Sequence, residues 1–239
     1  MYQASPMPKI GIICASDDEL EPFLPHIDHD EVTENAMLKF HQGSVHGIPV
    51  VALYCGVCKV NAAIATQILI DRYGVGAIIN AGTAGGMDQS VNLFDTVVSA
   101  QVAYHDMDDE ILTEFHPWMP SIYFDADPAL LEIAAFISER NPSVRLGRTV
   151  TGEKFIEDDF RDAINQKYAP LSVDMETAGI AHVCYVNKIP FIAIRSITDT
   201  ATHSGMDQFE ENCQRASTIS KDVVLDFLDE LKRTAKESR

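Results

Sequence analysis

Acidic, basic and glycine residues stand directly after several apolar segments of this sequence. Glu19, Glu176 and Asp199 supply carboxyl groups that can carry a proton or accept hydrogen bonds from hydroxyl groups. Arg195 lies four residues before Asp199, and the glycine-rich segment 82–86 (GTAGG) follows another apolar run. General acid and general base catalysis needs two such groups in opposite protonation states. These residues are therefore the candidates for catalytic chemistry.

Each candidate also fits a structural role. Ser16 and Glu19 have the spacing of a capping box, in which the serine caps a helix and the glutamate reaches back to it. Glu176 is expected in the first turn of a helix, where the helix dipole favours an acidic residue, and Asp199 fits a loop cap. The glycine-rich segment 82–86 resembles a phosphate loop, but it lacks the Lys-Ser/Thr pair of a P-loop. Taken singly, none of these residues decides the function.

The apolar segments predict an α/β fold with three layers, in which helices flank a central mixed, mostly parallel sheet. Four segments, IGIICA, VVALYC, GAIIN and FIAIR, are continuous apolar runs, as in strands buried on both faces. The predicted strands are 9–15, 38–45, 49–54, 77–80, 95–103, 144–151, 171–173 and 191–194, and the predicted helices are 60–73, 128–140, 157–166, 176–187 and 207–236. Ligands collect at the carboxyl ends of such strands, where the candidate residues stand.

Length and composition favour one globular domain over residues 1–239, with 1–8 and about 235–239 as ragged ends. The chain is 46% hydrophobic and 23% charged, and it has no linker, repeat or low-complexity tract. Its net charge of -18 would repel nucleic acid and anionic lipid. It also lacks a signal peptide and an apolar run near the ~20 residues that span a bilayer, so we expect a cytoplasmic protein without membrane partners.

The cysteines do not predict a disulfide framework or a metal site. There are five, an odd number, and most lie in apolar segments, which favours reduced core thiols. Cys55 and Cys58 have the C-x-x-C spacing, but no second ligand pair is near, so a turn that carries two thiols is favoured. His26 and His29 are a weaker pair still. We expect no metal and no cofactor.

Several segments, in this order, together resemble one known family. They are 9–13 with Glu19, 78–86, 95–99, 104–106, 155–156, 173–182 and 195–199. They are similar to the methylthioadenosine/S-adenosylhomocysteine nucleosidases of the nucleoside phosphorylase and hydrolase superfamily. The combination of M-E-x-x-x-I-A with R-x-I-[ST]-D is specific. The resemblance implies a nucleoside phosphorylase-like fold and hydrolysis of the N-glycosidic bond, which releases adenine and a thio-substituted ribose.

The resemblance also implies which residues act. Asp199 would be the acid that protonates the imidazole-ring nitrogen of adenine, and Glu19 the base that orients and deprotonates water. Glu176 would accept hydrogen bonds from the ribose diol. The implied substrate-binding residues are Thr83, Phe155, Ile156, Met175, Glu176, Arg195, Thr198 and Phe209. Family members need no cofactor, take a small purine nucleoside and are usually homodimers.

Within that set, the resemblance divides the substrate between base and sugar. The rings of Phe155 and Phe209 would stack on the adenine, and the backbone of Ile156 would read its edge. Met175 would pack against the sugar, and the Thr83 hydroxyl would help to hold water or sugar. Stacked aromatic rings suit a flat base, although they suit an ordinary core equally well.

The sequence departs from the family pattern at a few positions. Asp174 replaces a usual glutamate, Thr83 and Thr198 replace serines, and cysteines flank Gly56 where small residues are expected. Segment 106–120 resembles the family only loosely. Because this region of family members reaches the partner's pocket, the preferred thio-substituent stays open.

Three other functions remain open from the sequence. A purine nucleoside phosphorylase would need cationic groups for phosphate, yet 16–21 holds four acidic residues and no basic one, and Asn80 stands where phosphorylases carry an arginine. A noncatalytic nucleoside-binding protein would be free to lose the acid and the base, and both are present. Hydrolysis of aminodeoxyfutalosine in the same pocket cannot be separated by sequence.

Overall fold

The computed structural model describes residues 7–156, 158–203 and 205–237. The strands are β1 (Ile10–Cys14), β2 (Asp28–Asn35), β3 (Leu38–Val45), β4 (Ile48–Tyr54), β5 (Ala77–Gly86), β6 (Thr96–Tyr104), β7 (Phe124–Asp125), β8 (Val144–Thr151), β9 (Ser172–Asp174) and β10 (Phe191–Asp199). The helices are α1 (Asp17–Leu20), α2 (Lys59–Tyr73), α3 (Asp109–Glu114), α4 (Pro128–Arg140), α5 (Asp158–Tyr168), α6 (Thr177–Asn187) and α7 (Met206–Glu237), and a 3₁₀ helix spans Glu21–His26.

The strands form one mixed sheet whose centre is parallel. β4, β1, β5 and β10 lie side by side in this order with parallel pairing. β10 also pairs antiparallel with β6, and β6, β8 and β9 follow in parallel, until β9 returns antiparallel to the end of β5. β3 and β2 extend the opposite edge as antiparallel strands. The predicted mixed sheet is confirmed, and its carboxyl-terminal ends converge around β5.

Helices cover both faces of the sheet, as the continuous apolar strands require. On one face, Ile12 of β1 belongs to a core with Val224 and Phe227 of α7. On the other face, Ile13 packs in a core with residues of α2 and α6, including Leu69. Neighbouring residues of β1 therefore enter opposite cores, and burying each such side chain contributes about 1.5–3 kcal/mol. This accounts for the three layers.

Two strands reach further than their apolar runs predict. β5 continues through the glycine-rich segment to Gly86, which is therefore a strand end and not a turn. β10 continues from Ile194 to Asp199, because it pairs with β5 over this whole length. β2 was missed, since its sequence DHDEVTEN is an edge strand without apolar alternation. Cross-strand pairing in the folded sheet extends or creates these strands.

The predicted helices occur close to their predicted bounds, with small differences at the ends. α7 includes 235–237, which belong to the predicted C-terminal ragged end. Residues 1–6, 238 and 239 of the predicted ragged ends, and residue 157 of the predicted fifth helix, lie outside the described residues. No described helix is long and apolar enough to cross a membrane.

α7 connects the two strands that carry the site. Its Ser220 is buried, and the hydroxyl accepts a hydrogen bond from the Gly82 N–H of β5 at 3.0 Å. The same hydroxyl donates to the Ile194 carbonyl of β10 at 2.9 Å. α7 thereby fixes the relative position of the two strand ends.

Candidate active site

A cavity of about 340 Å³ opens at the carboxyl ends of β1, β5, β9 and β10. All ten residues singled out from the sequence line it: Glu19, Thr83, Phe155, Ile156, Met175, Glu176, Arg195, Thr198, Asp199 and Phe209. The parallel centre of the sheet brings these separated segments together, since its strands end on the same side. The roles assigned to these residues are predictions.

Glu19 is buried in the wall of the cavity and accepts three hydrogen bonds from Ala15 and Thr83. Its Oε2 accepts the Ala15 N–H at 2.6 Å, and its Oε1 accepts both the N–H and the hydroxyl of Thr83 at 2.7 Å. Ser16 is the N-cap of α1, but its side chain makes no capping hydrogen bond. Glu19 thus reaches into the site and bonds to Ala15 and Thr83, and the capping-box interpretation is wrong for this pair.

Gly82 makes this position of Glu19 possible. Its φ of +145° is a conformation that side chains rarely adopt, and a Cβ placed there would lie 2.3 Å from the Glu19 Cδ and Oε2. The glycine-rich strand end therefore works by letting a carboxylate approach the backbone closely. It is not a phosphate loop.

Arg195 is buried between three carboxylates. Its Nη2 donates to Glu176 Oε2 at 3.2 Å and to Glu19 Oε1 at 3.5 Å. Its Nε lies 3.5 Å from Asp174 Oδ2, and donates to the Thr83 carbonyl at 2.6 Å. Burial alone would lower the pKa of Arg195, but the carboxylates outweigh it and raise that pKa. One fixed positive charge thus organises this half of the cavity.

Asn80 completes the arginine's partners. Its Oδ1 accepts from Arg195 Nη1 at 3.1 Å, and its Nδ2 donates to Thr177 Oγ1 at 2.6 Å. Asn80 is thus an uncharged hydrogen-bonding partner that supports Arg195.

Glu176 stands at the N-cap of α6, directly after β9, and not within the first turn. Its Oε1 accepts the Cys58 N–H at 2.9 Å, and its Oε2 faces Arg195. Burial raises the pKa of Glu176 to about 7, with Arg195 opposing the rise and Asp174 adding to it. The carboxylate is rigid and retains acceptor capacity toward the cavity.

Asp199 lies at the last residue of β10, opposite Gly85 of β5. In the described part of the chain, its carboxyl group accepts one hydrogen bond, from Thr198 Oγ1 at 2.9 Å. Burial raises the pKa of Asp199, while the Thr198 hydrogen bond and the positive charge of Arg161 oppose the rise. Asp199 and Glu19 therefore occupy contrasting surroundings, one poor and one rich in hydrogen-bond donors.

Aromatic and apolar side chains form the remaining wall of the cavity. The rings of Phe155 and Phe209 meet edge to face, with centroids 6.3 Å apart and an interplanar angle of 75°. Ile156 and Met175 line the same cavity. A flat, apolar group can fit against this wall while its polar edges face the carboxyl groups.

Sequence reasoning missed several residues that take part in the site. Asp174 was noted only as a departure from a family pattern, yet it accepts Thr151 Oγ1 at 2.6 Å and the Thr177 N–H at 3.1 Å. Lys154 and Met206 also line the cavity. Cys58 contributes its backbone N–H, so its residue type gives no sequence signal for this role.

The thiols and histidines give no sign of a metal centre. All five cysteines are free, and no group of three or more potential ligands that could hold a metal is found in the described residues. Burial raises the pKa of Cys58 to about 11, so its thiol is not activated.

The family can be identified from comparison with known proteins. The sequence model of the family described as the phosphorylase superfamily matches residues 9–229. With its α/β fold and a cavity at the strand ends, the chain is of that superfamily class.

Closer relatives give the family within this class. A 5'-methylthioadenosine/S-adenosylhomocysteine nucleosidase of Bacillus cereus (strain AH187) is 35% identical over 234 residues, which cover 94% of this chain and 100% of the relative. The chain therefore belongs to the family of 5'-methylthioadenosine/S-adenosylhomocysteine nucleosidases.

Two solved structures share the fold. The nucleosidase of this family from Colwellia psychrerythraea 34H, in complex with adenine, is 34% identical with a TM-score of 0.85, covering 94% of this chain and 96% of that chain. Futalosine hydrolase of Helicobacter pylori strain 26695 is 25% identical with a TM-score of 0.85, covering 94% and 98%.

Gly82→Ala should destabilise the protein strongly, because the new methyl group would collide with Glu19 and the backbone would be strained. We expect the free energy of unfolding in urea to fall by at least about 3 kcal/mol. Gly74→Ala is the matched control, since Gly74 also has positive φ but nothing within 4 Å of an added Cβ. That control should lose only about 1–2 kcal/mol. Equal losses would contradict a close contact at Gly82.

Proposed function

We propose that the protein hydrolyses the N-glycosidic bond of methylthioadenosine and S-adenosylhomocysteine, releasing adenine and the thio-substituted ribose. The observation that carries this proposal is the contrast between two carboxyl groups of one cavity. Asp199 has a pKa raised by burial, whereas Glu19 accepts hydrogen bonds through both oxygens. Such a pair supplies an acid for the leaving base and a base for the attacking water.

Asp199 is the general acid of this proposal. Its raised pKa keeps a proton on the carboxyl group nearer to neutral pH, and that proton passes to the imidazole-ring nitrogen of the purine. The purine then leaves with the electron pair of the glycosidic bond. Thr198 orients the carboxyl group through its hydroxyl.

Glu19 is the general base, and it acts on water at the sugar. The N–H groups of Ala15 and Thr83 fix its carboxylate, and Arg195 lies beside it. Glu19 takes one proton from the water as the oxygen bonds to the ribose carbon. The Thr83 hydroxyl, which already bonds to Glu19, helps to hold that water or the sugar.

Glu176 binds the ribose diol, and the apolar wall binds the base. Phe155 and Phe209 stack on the adenine ring, and the Ile156 backbone contacts the edge of the base. Met175 packs against the sugar. The adenine complex of the Colwellia relative supports a purine site in this fold. Arg195 keeps Glu176 in place for the diol.

Water, and not phosphate, fits the nucleophile's position. A phosphate dianion would meet Glu19, Asp174 and Glu176, and the single arginine among them is already paired with all three. Methylthioadenosine and S-adenosylhomocysteine are favoured over aminodeoxyfutalosine, because the Bacillus cereus nucleosidase is 35% identical over 94% of this chain and the Colwellia nucleosidase is 34% identical. A noncatalytic binding role would leave the paired acid and base without a purpose.

We further propose a cytoplasmic homodimer that acts in methionine salvage and nucleoside catabolism. Free cysteines suit a reducing compartment. Large apolar side chains are exposed on α2, just before it and on the segment around α3; they are Val57, Val60, Ile64, Ile111, Phe115 and Trp118. The Lys59–Asp106 ion pair at 2.8 Å joins these two regions. Exposed apolar side chains of this kind are typical of an interface between subunits.

Adenine release from methylthioadenosine should be independent of phosphate. We expect equal rates in phosphate-free buffer and in buffer with added phosphate, measured by adenine formation, with the free thio-sugar as the product. A ribose phosphate ester as the main product, or a rate that rises steeply with phosphate, would assign the protein to the phosphorylases.

Asp199→Asn should lower kcat for adenine release by ~10²–10⁴, because an amide cannot deliver the proton. The thermal midpoint should stay near that of the wild type, since the change is nearly isosteric. Asp127→Asn is the control, because Asp127 is the N-cap of α4 and asparagine is an equally good cap. Wild-type turnover in a folded Asp199→Asn variant would remove Asp199 from the mechanism.

The KM for methylthioadenosine should rise as pH falls below about 7, because protonated Glu176 accepts fewer hydrogen bonds from the diol. The expected increase approaches tenfold for each pH unit, by proton competition with the substrate. Glu176→Gln should have a higher KM at neutral pH that varies little with pH. If wild type and Glu176→Gln show the same pH dependence of KM, another group controls binding.

A further inference from the structure

Arg161 is a buried guanidinium without a carboxylate partner in the ion pairs of the described residues. It lies in α5 and is 4% exposed. Its Nη1 donates to the Gly86 carbonyl, whereas its Nε and Nη2 are buried and have no hydrogen-bond partner among the described residues. A buried charge left in this way is costly, particularly in a chain with 36 acidic residues that could have paired with it. Its retention calls for a role.

The carbonyl that Arg161 holds belongs to the backbone against which Asp199 packs. Gly85 is the register partner of Asp199, and a Cβ on Gly85 would lie 3.1 Å from Asp199 Oδ2. A Cβ on Gly86 would lie 3.2 Å from the Asp199 backbone oxygen. Arg161 is not among the residues that line the cavity, and its positive charge lowers the pKa of the Asp199 carboxyl group against the effect of burial.

The other charged groups around the cavity are either paired with Arg195 or exposed, and Lys154 is one of the exposed groups. Glu19 of α1, Asp174 of β9 and Glu176 at α6 are paired with Arg195 of β10. From α7, the nearby acidic residues are exposed; they are Asp207, Glu210 and Glu211. β5 presents glycine backbone to Asp199, and α5 presents Arg161.

We propose that Arg161 is a positioning residue for the general acid, and that its charge stabilises the Asp199 carboxylate left after proton transfer. This inference rests on the proposed function. In the step concerned, the proton of Asp199 moves to the purine nitrogen as the glycosidic bond breaks and its electron pair enters the purine. Water bonds to the ribose carbon and gives its proton to Glu19, and exchange with solvent then restores both groups. A preorganised charge stabilises negative charge where it develops.

The alternative is that Arg161 only clamps the end of β5. Asn165, one turn further along α5, also holds this backbone, since its Nδ2 donates to the Met87 carbonyl at 3.1 Å. Arg161→Gln separates the two roles, because glutamine keeps a donor for the Gly86 carbonyl but has no charge. Arg161→Lys keeps the charge.

The test compares these variants with wild type in adenine release and in the titration of Asp199. Because the cation lowers the pKa of Asp199, its removal should raise that pKa and move the alkaline limb of the kcat profile to higher pH. We expect Arg161→Gln to lower kcat about tenfold or more with KM within about threefold. Arg161→Lys should keep more of kcat, and in an Asp199→Asn background Arg161→Gln should lower kcat no further.

Arg148→Gln is the control for a purely structural arginine. Arg148 donates to the Tyr168 carbonyl at the end of α5 and to Gln101 Oε1 at 2.9 Å, and neither partner lines the cavity. It should change the thermal midpoint without moving the alkaline limb. The proposal is overturned if Arg161→Gln lowers kcat by the same factor in wild type and in Asp199→Asn. It is also overturned if Arg161→Gln leaves the alkaline limb of the kcat profile unmoved.

A direct ¹³C NMR titration of the Asp199 carboxyl group, assigned with Asp199→Asn, completes the test. Its pKa should be higher in Arg161→Gln than in wild type, and an equal or lower value overturns the proposal. This readout does not depend on turnover, so a wild-type protein that releases no adenine would refute the proposed function alone. If Arg161→Gln does not fold, a folded Arg161→Lys with under a tenth of wild-type kcat and an unmoved limb overturns the proposal.

Discussion

The site depends on one buried guanidinium shared by three carboxylates. Arg195 contacts Glu19, Asp174 and Glu176, which come from two separate segments of the chain. Removing one partner of a buried ion pair typically costs about 3–5 kcal/mol, because the other charge is left uncompensated. Arg195 therefore fixes the carboxylates to one another as well as to β10. Burial raises the pKa of Glu176, and the nearby charges of Asp174 and Glu19 add to the rise while Arg195 opposes it.

The surrounding fold is arranged so that this cluster can form without strain elsewhere. Gly82 admits Glu19 close to β5, and Asp174 satisfies the start of α6 while it faces Arg195. Ser220 of α7 ties β5 to β10 at the same level. Packing and hydrogen bonding thus set the separation between the carboxylates before any substrate enters, which is the preorganisation that acid and base catalysis uses.

The two halves of the cavity differ in the surroundings of their carboxyl groups. Around Arg195, carboxylates are paired and richly hydrogen-bonded. Around Asp199, burial dominates and one hydroxyl group is the hydrogen-bond donor among the described residues. Arg161 reaches this second half through backbone rather than by direct pairing. Position alone therefore gives the carboxyl groups of one cavity different hydrogen-bond and charge surroundings.

The sequence by itself determined the α/β class, most of the central strands and ten of the residues around the cavity. Continuous apolar runs such as IGIICA predict strands buried on both faces, and the ordered segments that contain Glu19, Glu176 and Asp199 resemble a single family. These patterns lie within short segments of the sequence, so they can be recognised without coordinates.

Tertiary structure alone decided how those residues are held. The capping box of Ser16 and Glu19 fits the sequence, yet in the fold Glu19 finds stronger partners across the sheet in Thr83 and Arg195. The strand character of 81–86 and 195–199 arises from pairing between β5 and β10, not from local propensity. The burial of the Arg161 charge without a carboxylate partner among the described residues is likewise invisible in sequence, because burial and pairing are properties of the packed chain.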